Sequence, residues 1–338
     1  MAKLVFSGPV RYRLRSLLAL QRVTLQTVFR RLTGRPIMPD WDIGFEIGVR
    51  FWRHQFTAAM TALRLEDGRK IFDSLQTETD DLYDVLIQEI SEPKGTWYLP
   101  RHRRGDTTVL HFHGGGYAFY GGISRRHVAM LAHRLGVPVF APDYRLTPEH
   151  PHPAQAEDAL TAWHHVLSRV PAEQIVVTGD SAGGHMALML LQSLKAQAEA
   201  QPALCVGLCP WTDIADRGDS LHSNDRYDLV QGWMALKFGE WLDPGGVYGR
   251  AQLSPISHDF SGLAPIYIQL GGREVLRDMI LEFVEVQKTM GAAIACDLWP
   301  DMPHNFHAYD SLKQSSTEAL AKLADVVERR RLPGDTGD

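Results

Sequence analysis

The chain has 338 residues, of which 44% are hydrophobic and 22% charged, with a formal net charge of −5. This composition is typical of a globular protein and excludes a largely disordered chain. Apolar runs stay well below the roughly 18 residues that a membrane span requires. The length is sufficient for one large domain with a small accessory one.

The charge is distributed unevenly. Every charged residue before Asp40 is basic, so that the first 39 residues carry +8 and the rest −13. From Val10 to Thr33 the arginines are interleaved with apolar residues at helical spacing, without glycine or proline. We expect this amphipathic helix to dock on the acidic body as part of a cap. Contact with a membrane surface is the alternative, and we expect no nucleic acid partner.

The cysteines indicate a reducing compartment. Cys205 and Cys209 are four positions apart on a predicted strand, which separates them by roughly 13 Å, too far for a disulfide. Cys296 is the third, so that one thiol would be left over in any pairing. The apolar run at residues 4–6 is too short for the core of a signal peptide. We therefore expect reduced cysteines and a cytoplasmic protein.

Residues 1–84 predict helices interrupted by Gly34, Pro36 and Pro39, without the alternation of a strand. After residue 84 the pattern changes to short strands and then to alternating strands and helices. This pattern predicts an α/β fold with a mainly parallel sheet covered on both faces. Residues 211–250 interrupt the alternation and predict a second, helical insert on the ligand side of the sheet. The strands are expected at residues 85–87, 95–100, 109–112, 138–141, 175–178, 204–209, 266–270 and 294–298.

A strand, a sharp turn and a helix are predicted around Ser181. The turn reads Gly-Asp-Ser-Ala-Gly at residues 179–183, the Gly-x-Ser-x-Gly pattern in which glycines let two chain segments approach closely. A serine on such a corner has an exposed hydroxyl. The pattern predicts that Ser181 is a nucleophile.

A second glycine cluster follows the strand at residues 109–112. His113, Gly114, Gly115 and Gly116 form a bare loop whose N–H groups are suited to bind an oxygen that becomes negative. Together the two motifs resemble those of the hormone-sensitive-lipase-like branch of the α/β-hydrolases, a family of carboxylesterases and lipases. The resemblance covers roughly residues 85 to 310 and implies an eight-stranded, mainly parallel sheet with a helical cap. It divides the chain into an N-terminal helical cap region at 1–84 and a catalytic domain at 85–338.

The resemblance also implies a triad in the order serine, acid, histidine. His304 follows the last strand and is expected to be the general base, whereas His307 lies nearer the closing helix. Glu274 stands where the family usually has its first aspartate, and Asp278 stands at the second acidic position. We expect Glu274 to orient His304, and Asp278 to complement the N-terminus of a helix.

The implied activity is hydrolysis of short- to medium-chain acyl esters through an acyl-enzyme. The N–H groups of Gly115, Gly116 and Ala182 would bind the oxyanion, and Tyr117 and Trp211 would contact substrate. An amidase or lactonase with the same triad, or a small-molecule-binding protein without activity, are the alternatives. We expect no cofactor and no metal, because carboxylates or cysteines do not complete the histidine pairs 111/113 and 150/152. A homodimer is compatible with the sequence.

Two further expectations concern the scaffold. Asp143 and Arg145 lie in a segment similar to the family's connection after the next strand, and we expect them to pair beside the serine turn. His185 stands where the family usually has asparagine, and we expect it to alter packing beneath the oxyanion loop.

Overall fold

The computed structural model describes residues 4–77 and 83–334. The N-terminal region consists of β1 (Leu4–Phe6), α1 (Val10–Leu32), α2 (Ile43–Met60), α3 (Leu65–Phe72) and β2 (Leu75–Thr77). The helix α2 begins where Asp42 accepts a hydrogen bond from the N–H of Phe45. Strands β1 and β2 pair in a small antiparallel sheet. The sequence did not predict this sheet, because three residues are too few to show alternation.

The rest of the chain follows the predicted order of strands and helices. The elements are β3 (Val85–Ser91), β4 (Lys94–Pro100), β5 (Thr108–Phe112), α4 (Gly122–Leu135), β6 (Val139–Pro142), α5 (Ala154–Leu167), β7 (Ile175–Asp180), α6 (Ala182–Ala196), β8 (Leu204–Leu208), α7 (Ser220–Ser223), α8 (Gly232–Leu242), α9 (Gly249–Leu253), β9 (Ile266–Gly271), α10 (Arg277–Thr289), β10 (Ile294–Trp299) and α11 (Gln314–Arg329).

Strands β3 to β10 form one eight-stranded sheet in the order β10-β9-β8-β7-β5-β6-β4-β3. The six strands from β5 to β10 are parallel, whereas β4 runs antiparallel to both β6 and β3. The predicted α/β-hydrolase architecture is thus confirmed. Because β5, β7 and β8 end side by side, the loops that follow them meet at one edge of the sheet, which is where such folds build their sites.

Both faces of the sheet are covered by helices. One face packs against α5, α6 and α10 through residues such as Trp163, Leu188 and Phe283. The other packs against α4 and α11 through residues such as Met130 and Leu323. Burial on both faces explains why the central strands are continuous apolar runs in the sequence.

The insert after β8 contributes α7, α8 and α9 and, as far as the structure describes it, no strand. The helix α1 packs against α2 and α3. The leucine-rich face, which the sequence predicted to be buried, instead points to solvent, and the opposite face is buried. The buried residues of α1 are Tyr12, Ser16, Ala19, Val23 and Thr27, while most of the large apolar side chains of this helix are exposed. Within residues 4–77 and 83–334, helices long and apolar enough to cross a bilayer are absent.

The predicted pairing of Asp143 with Arg145 is wrong. Arg145 instead binds the carboxylates of Glu157 and Asp158, at 2.7 and 2.8 Å, and so fixes its loop to α5. Asp143 lies 3.5 Å from the ammonium group of Lys94. All three cysteines are free thiols, as the spacing predicted.

Candidate active site

Ser181 occupies the corner between β7 and α6 with backbone angles of φ 55° and ψ −119°. Its N–H donates to the carbonyl of Leu208 at 2.9 Å, and its carbonyl accepts from the N–H of Trp211 at 3.0 Å. A Cβ atom at Gly183 would lie 1.9 Å from the carbonyl oxygen of Phe112. The glycine is therefore required for α6 to pass so close to β5, and the strained serine is held by its neighbours.

The glycine loop after β5 adopts a conformation that side chains would prevent. Gly115 and Gly116 have φ values of 105° and 61°. A Cβ at Gly116 would lie 2.4 Å from the ring of Phe238. Hydrogen bonds from the N–H groups of Gly115, Gly116 or Ala182 to other residues are absent in the described part of the chain. All three residues line the same cavity as Ser181, so these donors are available to an oxyanion.

Asp180 connects the loops of the site. Its Oδ1 atom accepts from the N–H of Gly114 at 2.9 Å, and its Oδ2 atom accepts from the side-chain amide of Asn305 at 2.7 Å. Burial would raise the pKa of Asp180, but His111, whose Nε2 lies 3.3 Å from Oδ1, and the neighbouring imidazoles hold it well below its usual range. One ionised carboxylate thus ties the serine turn to the glycine loop and to the loop that carries His304.

His304 and Glu274 form a buried pair. The Nδ1 atom of His304 lies 2.6 Å from Oε2 of Glu274, and both side chains are at most 1% exposed. Because a carboxylate only accepts, Nδ1 carries the proton and neutral His304 is left with Nε2 as an acceptor. This Nε2 atom is buried and has no hydrogen-bond partner among the described residues.

The field around His304 favours its cationic form. Burial lowers the pKa of His304, but the hydrogen bond and charge of Glu274, together with Asp228 and Asp180, outweigh it and raise the pKa above its ordinary value. The pair therefore stabilises the imidazolium that forms when Nε2 accepts a proton.

Of the two candidate acids, the structure brings Glu274 to His304. The other oxygen of Glu274 accepts from the N–H of Gly271 at 2.9 Å, which fixes the carboxylate on the turn after β9. Asp278 lies in the first turn of α10 and binds the N–H of Ser220 at 2.8 Å and the side chain of Arg277 at 2.7 Å. Its role there is to connect α10 with the insert.

Ser181, Trp211 and His304 line a cavity of about 530 Å³. The N-terminal helices and the insert both contribute to its wall. The apolar lining residues are Leu20, Phe45, Ile47, Phe51, Trp52, Phe56, Phe72, Leu75, Ile123, Ala182, Trp211, Leu229, Val230, Ala235, Phe238, Leu276 and Ala308.

The expected contact of Tyr117 with substrate is corrected by the structure. Tyr117 is 2% exposed, and its hydroxyl lies 2.7 Å from Nδ1 of His185. Because Nε2 of His185 must donate to the carbonyl of Leu253, at 2.6 Å, Nδ1 is the acceptor and Tyr117 donates. Burial lowers the pKa of His185 to about 4, which keeps this bridge neutral. His185 thus joins the residue after the glycine loop to α9.

Comparison with known proteins identifies the family of this chain. The α/β-hydrolase-fold family matches residues 109–308. The chain belongs to this family.

An acetyl-hydrolase from Streptomyces hygroscopicus is 32% identical over 66% of this chain and 76% of the relative. An esterase from Acinetobacter venetianus is 29% identical over 65% and 74%. The α/β-hydrolase also superimposes on a crystal structure of EstE5 soaked with p-nitrophenyl butyrate, with a TM-score of 0.76, 25% identity and coverage of 83% of this chain and 96% of that chain. The predicted resemblance to hormone-sensitive-lipase-like esterases and the enzyme class, a carboxylic ester hydrolase, are confirmed.

The sequence did not indicate two residues that lie next to His304 in this α/β-hydrolase. Asp228, in the insert, is fully buried and accepts from the N–H groups of Leu229, Val275 and His304 at 2.7, 2.7 and 3.0 Å. Burial raises its pKa to about 6. Cys209 lies beneath the pair and accepts from the N–H of Asn305 at 3.4 Å. No local pattern marks either residue, because their partners are distant in sequence.

Two buried groups of side chains have potential ligand atoms within 4.8 Å of one another: His111, His127 and Asp180, and Cys209, Glu274 and His304. The second group contains the proposed base and acid. In the first, Asp180 is already bound by Gly114 and Asn305, and Nδ1 of His111 lies 2.8 Å from the hydroxyl of Thr178. The Nε2 atoms of His111 and His127 are buried without a hydrogen-bond partner among the described residues, and Nε2 of His111 lies 3.3 Å from Oδ1 of Asp180. Because Asp180 already accepts from two other donors, we assign neither group to a metal.

Proposed function

We propose that this α/β-hydrolase is a serine esterase that cleaves short- to medium-chain acyl esters through a Ser181–His304–Glu274 triad. The observation that carries the proposal is the buried pair of Glu274 and His304, because it leaves Nε2 of His304 without a partner and His304 lines the same cavity as Ser181. A nucleophile, a base and an orienting acid are the three groups that acyl transfer requires.

The reaction would follow from this geometry. The Oγ atom of Ser181 attacks the ester carbonyl carbon while Nε2 of His304 takes its proton, and Glu274 stabilises the imidazolium. The N–H groups of Gly115, Gly116 and Ala182 bind the oxyanion. The tetrahedral intermediate then breaks its bond to the alcohol oxygen, which receives the proton from His304. Water then attacks the acyl-enzyme while Nε2 of His304 takes its proton. The second tetrahedral intermediate breaks its bond to Oγ of Ser181, which receives that proton, and the carboxylic acid is released.

The cavity supports an apolar acyl group as substrate. Its volume of about 530 Å³ lies within the roughly 300–1,000 Å³ of ligand pockets. Its wall consists largely of aromatic and aliphatic side chains from α2 and the insert. Burying an acyl chain there removes apolar surface from water on both sides, which favours longer chains until the cavity is filled.

Hydrolysis of p-nitrophenyl acetate, butyrate, octanoate and palmitate by the wild type and Ser181→Ala tests the proposal. We expect the highest kcat/KM on butyrate or octanoate and a fall of about 10⁴-fold or more in the variant, because the nucleophilic route is lost. Near wild-type rates in Ser181→Ala would contradict the assignment. Faster cleavage of anilides or lactones would indicate the amidase or lactonase alternative, and binding without turnover would indicate a ligand-binding protein.

We also propose the cytoplasm as its compartment, with the three free cysteines as support. Burial raises the pKa of the Cys205 and Cys296 thiols to about 12, so both remain protonated. Reduced, unreactive thiols are what a reducing compartment maintains.

A further inference from the structure

The helix α1 presents an apolar face to solvent, interrupted near its middle by the exposed Gln21. Its members recur three, four or seven positions apart, which places them on one side of the helix. They are Leu14, Leu18, Leu25, Phe29 and Leu32, with exposed fractions of 54%, 64%, 71%, 66% and 81%. Val10 and Leu17 widen the same face. At 100° per residue these side chains occupy an arc of about 120°.

The opposite face of α1 is already committed to the body of the protein. Ser16 is fully buried, lies 2.6 Å from the hydroxyl of Ser74 and accepts from the amide of Gln55 at 2.6 Å. Thr27 accepts from the guanidinium of Arg50 at 2.7 Å. Because these small and polar contacts fix the rotation of the helix, its leucines face outward while the helix is docked.

Arginines border the apolar face on both sides. Arg13 and Arg31 lie beyond one edge, and Arg15 and Arg22 lie beyond the other, as the helical repeat requires. Arg31 pairs with Glu46 at 2.8 Å. The other three are exposed and form no ion pair with any residue in the described ranges. Arg11, at the edge of the face, pairs with Asp67 at 3.5 Å, but α1 itself contains no acidic residue. A rim of cations around an apolar face is complementary to an anionic surface with an apolar interior.

We propose that α1 binds to the surface of an anionic lipid bilayer. The leucine face lies at the boundary between headgroups and acyl chains, and the arginines contact the headgroup phosphates. A nucleic acid would require the arginines at the centre of the face, where the leucines are. A second copy of the chain would bring two such basic rims together, and like charges would oppose that contact.

The position of α1 links this surface to the reaction, a consequence that rests on the proposed function. Leu20 of α1 lines the cavity that contains Ser181, together with Leu75 of β2 and Phe51 of α2. The helix at the bilayer therefore forms part of the wall that would contact the acyl chain. Esters that partition into lipid would be concentrated next to the cavity.

Co-sedimentation of the full chain with vesicles tests the proposal. The probes are vesicles of phosphatidylcholine alone and of equal amounts of phosphatidylcholine and phosphatidylglycerol. We expect binding to the anionic vesicles that weakens as salt is raised. In Leu18→Glu/Leu25→Glu the partition coefficient should fall by at least about 100-fold, because two apolar side chains that would enter the bilayer are replaced by anions. In Arg15→Gln/Arg22→Gln it should fall by about 30-fold with weaker salt dependence.

Matched controls exist elsewhere on the surface. Leu86→Glu/Val247→Glu replaces residues that are 63% and 77% exposed, and Arg101→Gln/Arg103→Gln removes two exposed arginines outside the N-terminal region. Both should bind vesicles like the wild type, with unchanged circular dichroism in all variants. Ser181→Ala should also bind normally, so loss of activity and loss of vesicle binding are separate results.

Wild-type protein that remains in the supernatant with anionic vesicles would overturn the proposal, as would normal binding of the folded leucine variant. A dimer that dissociates in the leucine variant, without vesicle binding, would assign the face to a second copy instead. Binding of duplex DNA without vesicle binding would assign it to nucleic acid.

Discussion

The two halves of the proposed active site are built in different ways. The nucleophile half consists of the Ser181 turn and the glycine loop, whose geometry depends on main-chain contacts made possible by Gly115, Gly116 and Gly183. The base half consists of His304, Glu274 and Asp228, which come from three segments separated by 30 or more positions. It is held by hydrogen bonds between buried charged side chains and backbone N–H groups.

This difference predicts which kind of substitution disrupts each half. The nucleophile half fails when volume is added, because a Cβ atom has no space beside the neighbouring backbone. The base half fails when charge or hydrogen-bonding capacity changes at constant volume, because its carboxylates accept from donors that a neutral amide cannot satisfy equally. Isosteric substitutions in the base half therefore test the comparison.

The largest effect is expected for Glu274→Gln. The amide NH₂ of the new glutamine has two possible orientations. If it faces the N–H of Gly271, two donors oppose each other. If it faces His304, Nδ1 becomes the acceptor and the proton moves to Nε2, so that Nε2 can no longer act as the base. We expect kcat on p-nitrophenyl butyrate to fall by about 10³- to 10⁴-fold. Asp278→Asn is the control and should change kcat by less than about tenfold. The reverse order of the two variants would show that Glu274 is not the acid.

An intermediate effect is expected for Asp228→Asn. One amide cannot accept from the N–H groups of both Val275 and His304, so the loop that carries the base should shift. We expect kcat to fall by about 10- to 100-fold with little change in KM, because the cavity wall is retained.

Asp243 provides the matched control for Asp228. It is a buried aspartate of the same insert that accepts from the N–H groups of Tyr248 and Gly249, away from His304. Asp243→Asn should leave kcat of the folded protein near that of the wild type. Equal losses in the two variants would reduce Asp228 to a general structural role in the insert.

The smallest effect is a displacement of the pH profile. The raised pKa of His304 means that kcat/KM should rise with pH through an apparent pKa above about 6.5, since the neutral imidazole is the base. Removal of the negative charge in Glu274→Gln should move this acid limb to lower pH, and Asp228→Asn should move it less. A limb unmoved in both variants would show that these carboxylates do not set the protonation of the base.

Most of the architecture could be predicted from the sequence. Apolar strands alternating with helices, and the glycine motifs around Ser181 and Gly115, are local patterns with direct structural consequences. Their elements were found at the predicted positions within a few residues. The choice of Glu274 over Asp278 required the family resemblance as well, because spacing alone does not distinguish two carboxylates four positions apart.

Other features were decided by the tertiary structure. The composition of α1 predicted an amphipathic helix, but only the polar partners Ser74, Gln55 and Arg50 determine which face is buried. Tyr117 turns to His185 instead of the cavity, and Asp228 reaches His304 from 76 positions away. The physical reason is that sequence periodicity records which residues share a face, whereas the rotation of an element and the partner of a buried polar group depend on contacts between distant segments.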